Sequence, residues 1–261
     1  MNRREIEQFE RDGYVAVRGA IAPEIAAACR DEIWNALAGS GVTRDPASWT
    51  HPVVLVPCPP GSPFVAAGTA PALGAAYDTL IGPGRWGRRQ GVGGMVPVRF
   101  PSEEFPGDCG WHIEGSYEVG GEYWANVRSR ARGLLALFLF TDVGDDDAPT
   151  RLALGSHLAV PRLLADAGET GKNTDDALSG LRPSVLCRTA THATGRAGDV
   201  FLCHPFIVHT ATWPHRGRGP RMMAQPAVYV EDGFAIDGSD LSPVARAIVA
   251  GLGDDSSSCR N

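Results

Sequence analysis

The chain has 261 residues, 43% of them hydrophobic and 21% charged, a composition that can bury a substantial core and excludes disorder or a fibrous repeat for most of its length. Its longest unbroken apolar stretch, Leu134 to Phe140, is far shorter than the roughly 20 residues of a membrane-spanning helix. The charged start MNRREIEQFERDGY lacks the apolar core of a secretory signal, so a cytoplasmic protein with no membrane partner is expected.

Ile6 and Phe9, ahead of Gly13, predict a short amphipathic helix, with a strand following over Tyr14 to Arg18. Pro23 suits the first turn of a second helix that carries Ile25, Cys29, Ile33 and Leu37 on one face. Proline, glycine and short apolar runs alternate over 41–66, and a helix is expected over 71–80 before the turn-rich GPGRWGRR. From there to residue 230 the pattern predicts short strands between turn signals, at 95–100, 111–114, 133–143, 151–154, 184–189, 199–204, 208–211 and 222–230. A last helix is expected over 242–252, and a polar, frayed tail over 253–261. The order predicts a mainly β fold with flanking helices and a closed β architecture, as one domain over 1–252 with a helical N-terminal region.

Several motifs have simple readings. Gly82, Gly84 and Gly87 spell G-x-G-x-x-G, but they follow a helix, enclose Pro83 and open no βαβ unit, so a turn accounts for them. Asp145 to Asp147 lack the spaced oxygens of a calcium loop and read as a solvated hairpin turn. Six cysteines without a C-x-x-C pair give neither a zinc ribbon nor a redox motif and read as small hydrophobes in a reducing compartment. Lys172, the sole lysine, has no phosphate-loop pattern around it. A net charge of −6 argues against nucleic acid as a partner, although HRGRGPR over 215–221 is a local basic stretch.

His112-Ile113-Glu114 is the sharpest local feature. On a strand, the period of two places the imidazole and the carboxylate on one face, near enough to share a metal ion. With seven histidines and 30 acidic residues in the chain, about one such spacing arises by chance, so order and context have to support it. Downstream, GDVFLCHPFIVHTA brings His209 to the start of another strand. It would complete a 2-His-1-carboxylate set, which leaves open positions on Fe(II) for small ligands. Twelve residues later Arg221 opens the strand RMMAQP, with a planar fork suited to a carboxylate. Of the other histidines, His204 reads as a structural hydrogen-bonder and His157 as a turn or strand-end residue, while His51, His192 and His215 read as surface.

FERDGYVAVRGAI, VPVRFP, GWHIEGS, TDV, LGSH, GDVFLCHPFIVH and GPR, in this order over most of residues 8 to 230, resemble the phytanoyl-CoA dioxygenase family of Fe(II)/2-oxoglutarate oxygenases. The resemblance implies a double-stranded β-helix of the jelly-roll, cupin-like type. It implies iron on His112, Glu114 and His209, the distal carboxylate of 2-oxoglutarate on Arg221, and O2 as the other reactant. It also sets the strand of Met95 and Arg99 beside the cosubstrate, so Met95 and Thr150 are candidate contacts and Arg99 is either a contact or a salt-bridge residue.

Glu114 departs from the aspartate usual in the family. It offers the same hard oxygen one methylene further out, and it leaves no vacancy of the kind halogenases of this wider group use for chloride, so hydroxylation or desaturation is expected. The segments 101–131 and 164–183 are expected to select the substrate, with Tyr117, Trp124 and Arg128 as candidate contacts. The substrate is expected to be a small organic molecule, a secondary metabolite or amino-acid derivative. A non-catalytic metal- or ligand-binding jelly roll is the alternative.

Overall fold

The computed structural model describes residues 1–181 and 189–253, and its frame is a jelly roll built from antiparallel sheets with helices packed on one side. The apolar run becomes its central strand, β6 (Leu134–Leu139), buried at every residue. On one edge β6 pairs with β10 (Val200–Cys203), which pairs in turn with β1 (Tyr14–Val17); on the other it pairs with β12 (Met223–Ala224) and β13 (Ala227–Val228). The period of two divides the run between two faces. Leu134, Ala136 and Phe138 join the apolar cluster that includes Phe9, Ile33 and Tyr77 of the helices. Leu135, Leu137 and Leu139 join a second cluster with Leu152, Ala193 and Ile207 across the sandwich. A strand buried on both faces needs no polar alternation, which is why this stretch is continuously hydrophobic.

The opposing sheet is small, with β7 (Arg151–Ala153) between β9 (Ala190–His192) and β11 (His209–Thr210). A further pair, β2 (Val53–Pro57) and β3 (Met95–Arg99), connects towards β12 through a bridge in which Arg99 and Arg221 exchange backbone hydrogen bonds of 3.0 and 2.8 Å. A fourth sheet stands apart, formed by β4 (Tyr117–Val119), β5 (Glu122–Ala125) and β8 (Lys172–Asn173). The two expected specificity segments therefore pair with one another.

The helical expectations hold where caps and faces were readable. In α1 (Arg3–Asp12) Asn2 and Glu5 cap each other, and the helix ends at Gly13 with φ +87. A Cβ at Gly13 would lie 2.5 Å from His157 Nδ1, so conformation and packing both require glycine there. The helix α2 (Pro23–Ala38) buries Cys29, Ile33 and Leu37 as predicted, with Ala26 fully buried and Ile25 only partly. The helices α4 (Pro71–Leu80) and α7 (Pro243–Gly253) match their expected spans. β2 and α3 (Ser62–Gly68) fall in the stretch that carried no assignment, and α5 (Val160–Leu164) and α6 (Thr174–Ser179) were not foreseen.

Several strand expectations need correction. The strand over 222–230 is two strands, because Pro226 lies between them and has no N–H to give the ladder. The strand over 133–143 ends at Leu139. Residues 111–114 are not a strand, since only His112 makes a bridge there. The expected strand over 184–189 falls almost wholly in 182–188, outside the described residues, as do Cys187, Cys259 and the tail over 254–261. Gly82 and Gly84, at positive φ, form the turn expected of them. The acidic run turns between the two sheets, from β6 to β7, and not within a hairpin. The described cysteines are free thiols; Cys29 and Cys203 are buried, and Cys58 and Cys109 are part-exposed. No described helix is long and apolar enough to cross a membrane.

Candidate metal centre

His209 opens β11 opposite Leu152 of β7. Directly opposed residues share a face, so its ring lies on the inner side of the small sheet with Leu152. His112 reaches the same place without a strand. Its backbone exchanges two hydrogen bonds of 2.9 Å with His209, and the two rings stand 4.3 Å apart between centroids. Glu114 follows two residues later. Gly115 then lets the chain pass under β5, since a Cβ there would lie 2.4 Å from the Tyr123 Cβ.

The ligand atoms of His112, Glu114 and His209 all lie within 4.8 Å of one another. In each imidazole Nδ1 meets the carbonyl of the residue two before it, Gly110 at 2.9 Å and Ile207 at 3.1 Å. A carbonyl can only accept, so Nδ1 carries a proton in both rings and Nε2 is the nitrogen left to bind. His209 Nε2 is buried without a hydrogen-bond partner and stands 3.5 Å from Glu114 Oε1. Two such acceptors repel unless a proton or a cation lies between them. Burial works against ionising Glu114, but the imidazoles of His209 and His112, when they carry a second proton, and the guanidinium of Arg132 overcome it and push its carboxyl down to about 2. Burial and the neighbouring His209 hold His112 below its usual value. A carboxylate and two imidazole nitrogens converging in this state are the donors that divalent iron takes.

The triad opens on a cleft of about 770 Å³. Met95, Pro97 and Arg99, from one face of β3, line it together with Thr150 and Arg132. Arg99 Nε, Thr150 Oγ1 and Arg132 Nη1 share with His209 Nε2 the property of being buried without a partner, so unmet polar atoms gather around this one space. Arg99 both lines the cleft and pairs with Asp108, which joins the two readings left open for it. Arg221 is 1% exposed and does not line the cleft wall itself. Its backbone bridges Arg99, its Nη1 donates to the Ala148 carbonyl at 2.5 Å, and its Nε has no partner. Burial first, and then the charge of Arg99, push Arg221 down to about 9, which leaves it a cation at neutral pH.

Tyr117, Trp124 and Arg128 do not line the cleft. Tyr117 pairs with Trp124 across β4 and β5, donates through its hydroxyl to the Thr170 carbonyl at 2.8 Å, and carries Arg130 over its ring. Arg128 binds the Phe234 carbonyl and Glu169. These residues brace the sheet of β4, β5 and β8, whose Glu122, Tyr123 and Asn173 line the cleft together with Thr174 and Asp175 at the start of α6. Tyr123, 65% exposed, was missed because no strand was expected over 122–125, so nothing indicated which of these residues faces the site. Arg132 was missed as well, since nothing in RSRARG separates one arginine from the next.

The remaining histidines divide as follows. His204 is fully buried, accepting from Phe206 N and contacting the Val244 carbonyl, as a structural residue should. His157 lies in a short 3-10 turn against the Glu10 carbonyl. His51 is exposed and His192 meets Asp145, but His215 is buried at a bridge with Ser102, which corrects its surface reading. With His215 and Arg221 buried and Arg216 paired with Glu103, the stretch over 215–221 leaves Arg218 as its one exposed arginine outside that pair.

No family model and no curated protein matches the chain, but solved structures do. SnoK, a non-haem α-ketoglutarate-dependent carbocyclase from nogalamycin biosynthesis, has a TM-score of 0.60 at 18% identity, over 88% of this chain and 84% of its own. The epimerase SnoN, solved with Fe3+, α-ketoglutarate and nogalamycin RO, has a TM-score of 0.56 at 20% identity, over 87% and 82%. HygX from Streptomyces hygroscopicus, solved with nickel, 2-oxoglutarate and hygromycin B, has a TM-score of 0.56 at 17% identity, over 89% and 97%. At these identities the likeness is one of fold.

Proposed function

We propose that this chain is an Fe(II)/2-oxoglutarate oxygenase of the phytanoyl-CoA dioxygenase type that hydroxylates a small organic molecule, a secondary metabolite or amino-acid derivative. The observation that carries the reading is the unpaired Nε2 of His209 facing Glu114 Oε1 at 3.5 Å, with His112 alongside, at the wall of an open cleft. The chemistry a ferrous ion supplies with 2-oxoglutarate and O2 is oxidative decarboxylation to succinate and CO2, coupled to oxidation of a substrate C–H bond.

The protein's part is to hold and orient. His112 and His209, locked by their Nδ1 bonds, and Glu114 would hold the metal on one face. Arg221 would anchor the far carboxylate of 2-oxoglutarate, with Arg99 beside it at the cleft wall and Met95 and Thr150 flanking the cosubstrate. Glu114 would fill the carboxylate position, which favours hydroxylation or desaturation over halide transfer. Leu55, Met95 and Tyr123 leave 63%, 43% and 65% of their surfaces exposed around the opening and would take an apolar face of the substrate and exclude water. Structural neighbours that bind nogalamycin RO and hygromycin B support a secondary metabolite as the substrate.

The test is succinate formation from 2-oxoglutarate with Fe(II) under air, alone and across a panel of metabolites. A basal release that one metabolite class stimulates is expected. A protein that releases no succinate under any of these conditions would be a binding module, and the proposal would fall.

A further inference from the structure

Arg132 stands two residues before β6, with its side chain 13% exposed. Its nitrogens have three different situations. Nε donates to the Gly115 carbonyl at 3.0 Å. Nη2 forms an ion pair at 3.5 Å with Glu114 Oε2. Nη1 is buried without a partner in a residue that lines the cleft. The guanidinium thus holds the outer oxygen of Glu114 and the carbonyl of the next residue, while the other carboxylate oxygen, Oε1, faces His209.

The backbone that delivers this side chain is strained. Among the described residues, three non-glycine residues have positive φ: Ser129 at 50°, Ala131 at 69° and Ala148 at 49°, a region unfavourable for residues with a Cβ. Ala148 gives its carbonyl to Arg221, and the other two shape the turn that ends at Arg132. That turn is tied at several points. Ser129 N donates to the Asn126 carbonyl, Arg132 N to the Ser129 carbonyl, Ser129 Oγ to the Arg132 carbonyl, and Arg130 N to Asn126 Oδ1. Asn126 and Ser129 are fully buried. Strain that is overdetermined in this way marks a position the fold has to meet.

Glutamate brings one more rotatable bond to a metal than aspartate, and with it the freedom to chelate through both oxygens or to swing away. A cation fixed on the outer oxygen removes that freedom, as groups that hold the far atom of a ligand generally do. We infer that Arg132 is a positioning residue, which clamps Oε2 of Glu114 so that the carboxylate presents Oε1 alone to the metal. The inference rests on the iron-site reading above, and it explains how a glutamate serves at this position: aspartate, one methylene shorter, would withdraw from the guanidinium.

The experiment is Co(II) titration of the full chain without 2-oxoglutarate, followed through the visible bands that report cobalt coordination. The proteins compared are wild type, Arg132→Met, Glu114→Asp and the double variant, each checked for folding by circular dichroism. With Glu114 present, Arg132→Met is expected to shift the bands. Its factor on the Co(II) Kd should differ by at least about threefold from its factor in the Glu114→Asp protein, where the bands should not move. Factors that agree more closely than this, or bands unmoved in the Glu114 protein, overturn the inference. If Arg132→Met does not fold, Arg132→Lys takes its place in the cycle under the same threshold. The same titration checks the iron-site reading separately, because His112→Ala must weaken Co(II) binding by about tenfold or more. If it does not, that reading fails whatever Arg132 does.

Discussion

His112, Glu114 and His209 divide one task unequally, and their substitutions should show it. On the proposed assignment, removing either imidazole takes away a ligand outright, so His112→Ala and His209→Ala are expected to bring Fe(II)-dependent succinate formation down to background. Glu114→Asp keeps a hard oxygen and should keep part of the activity; full activity in either histidine variant would contradict the assignment. The two bridged arginines, Arg99 and Arg221, are separable by the requirement for 2-oxoglutarate. A charge-assisted pair to a carboxylate contributes about 1.5–3 kcal/mol, so Arg221→Ala should raise the 2-oxoglutarate KM by about tenfold or more. If Arg99→Ala raises it and Arg221→Ala does not, the anchor is Arg99, the arginine that lines the wall. The candidate ligands were legible through the order of the motifs around them, GWHIEGS and HPFIVH, and not through their spacing alone. Arg132 and Tyr123 were not, because their positions depend on which turn and which strand face meet the cleft, and that is a property of packing.

Among the elements, β6 carries the frame and α1 carries a pH dependence. Leu137 is fully buried between the two sheets, so Leu137→Ala should destabilise the protein by roughly 2–5 kcal/mol in chemical denaturation. A loss below about 1 kcal/mol would mean that the sandwich interior is loosely packed there. His157, against the Glu10 carbonyl of α1, is pushed down to about 4 by burial. The unfolded chain takes up this proton near the ordinary histidine value, the folded one only well below it. The stability it contributes is therefore complete above that value and is lost as the pH falls towards 4, by about 2 kcal/mol at pH 5. Melting of wild type and His157→Gln at pH 7 and pH 5 checks this: the wild-type loss should be the larger, and equal losses would place the acid sensitivity elsewhere. The helices and β6 were legible because their signals are local, in a cap, a periodic face or an unbroken apolar run. β2, β4, β5 and β8 were not, since strands of two to five residues owe their existence to partners far along the chain. The single bridge at His112 replaced a predicted strand for the same reason.

For the whole molecule, the jelly roll brings residues 112 and 209 together from segments almost a hundred positions apart in sequence. It sets Arg99 in the cleft wall with Arg221 bridged to it, and Arg132 beside Glu114. Its architecture was legible from the order of the motifs more than from the strands themselves, and the cleft's outer wall, where 101–131 and 164–181 fold onto each other, was not. Anaerobic titration with Fe(II) in the presence of 2-oxoglutarate tests the central claim most directly. One ferrous ion per chain is expected, with binding lost in His112→Ala and in His209→Ala while both variants remain folded. Binding that persists in those variants, or no binding by the wild-type protein, would contradict it.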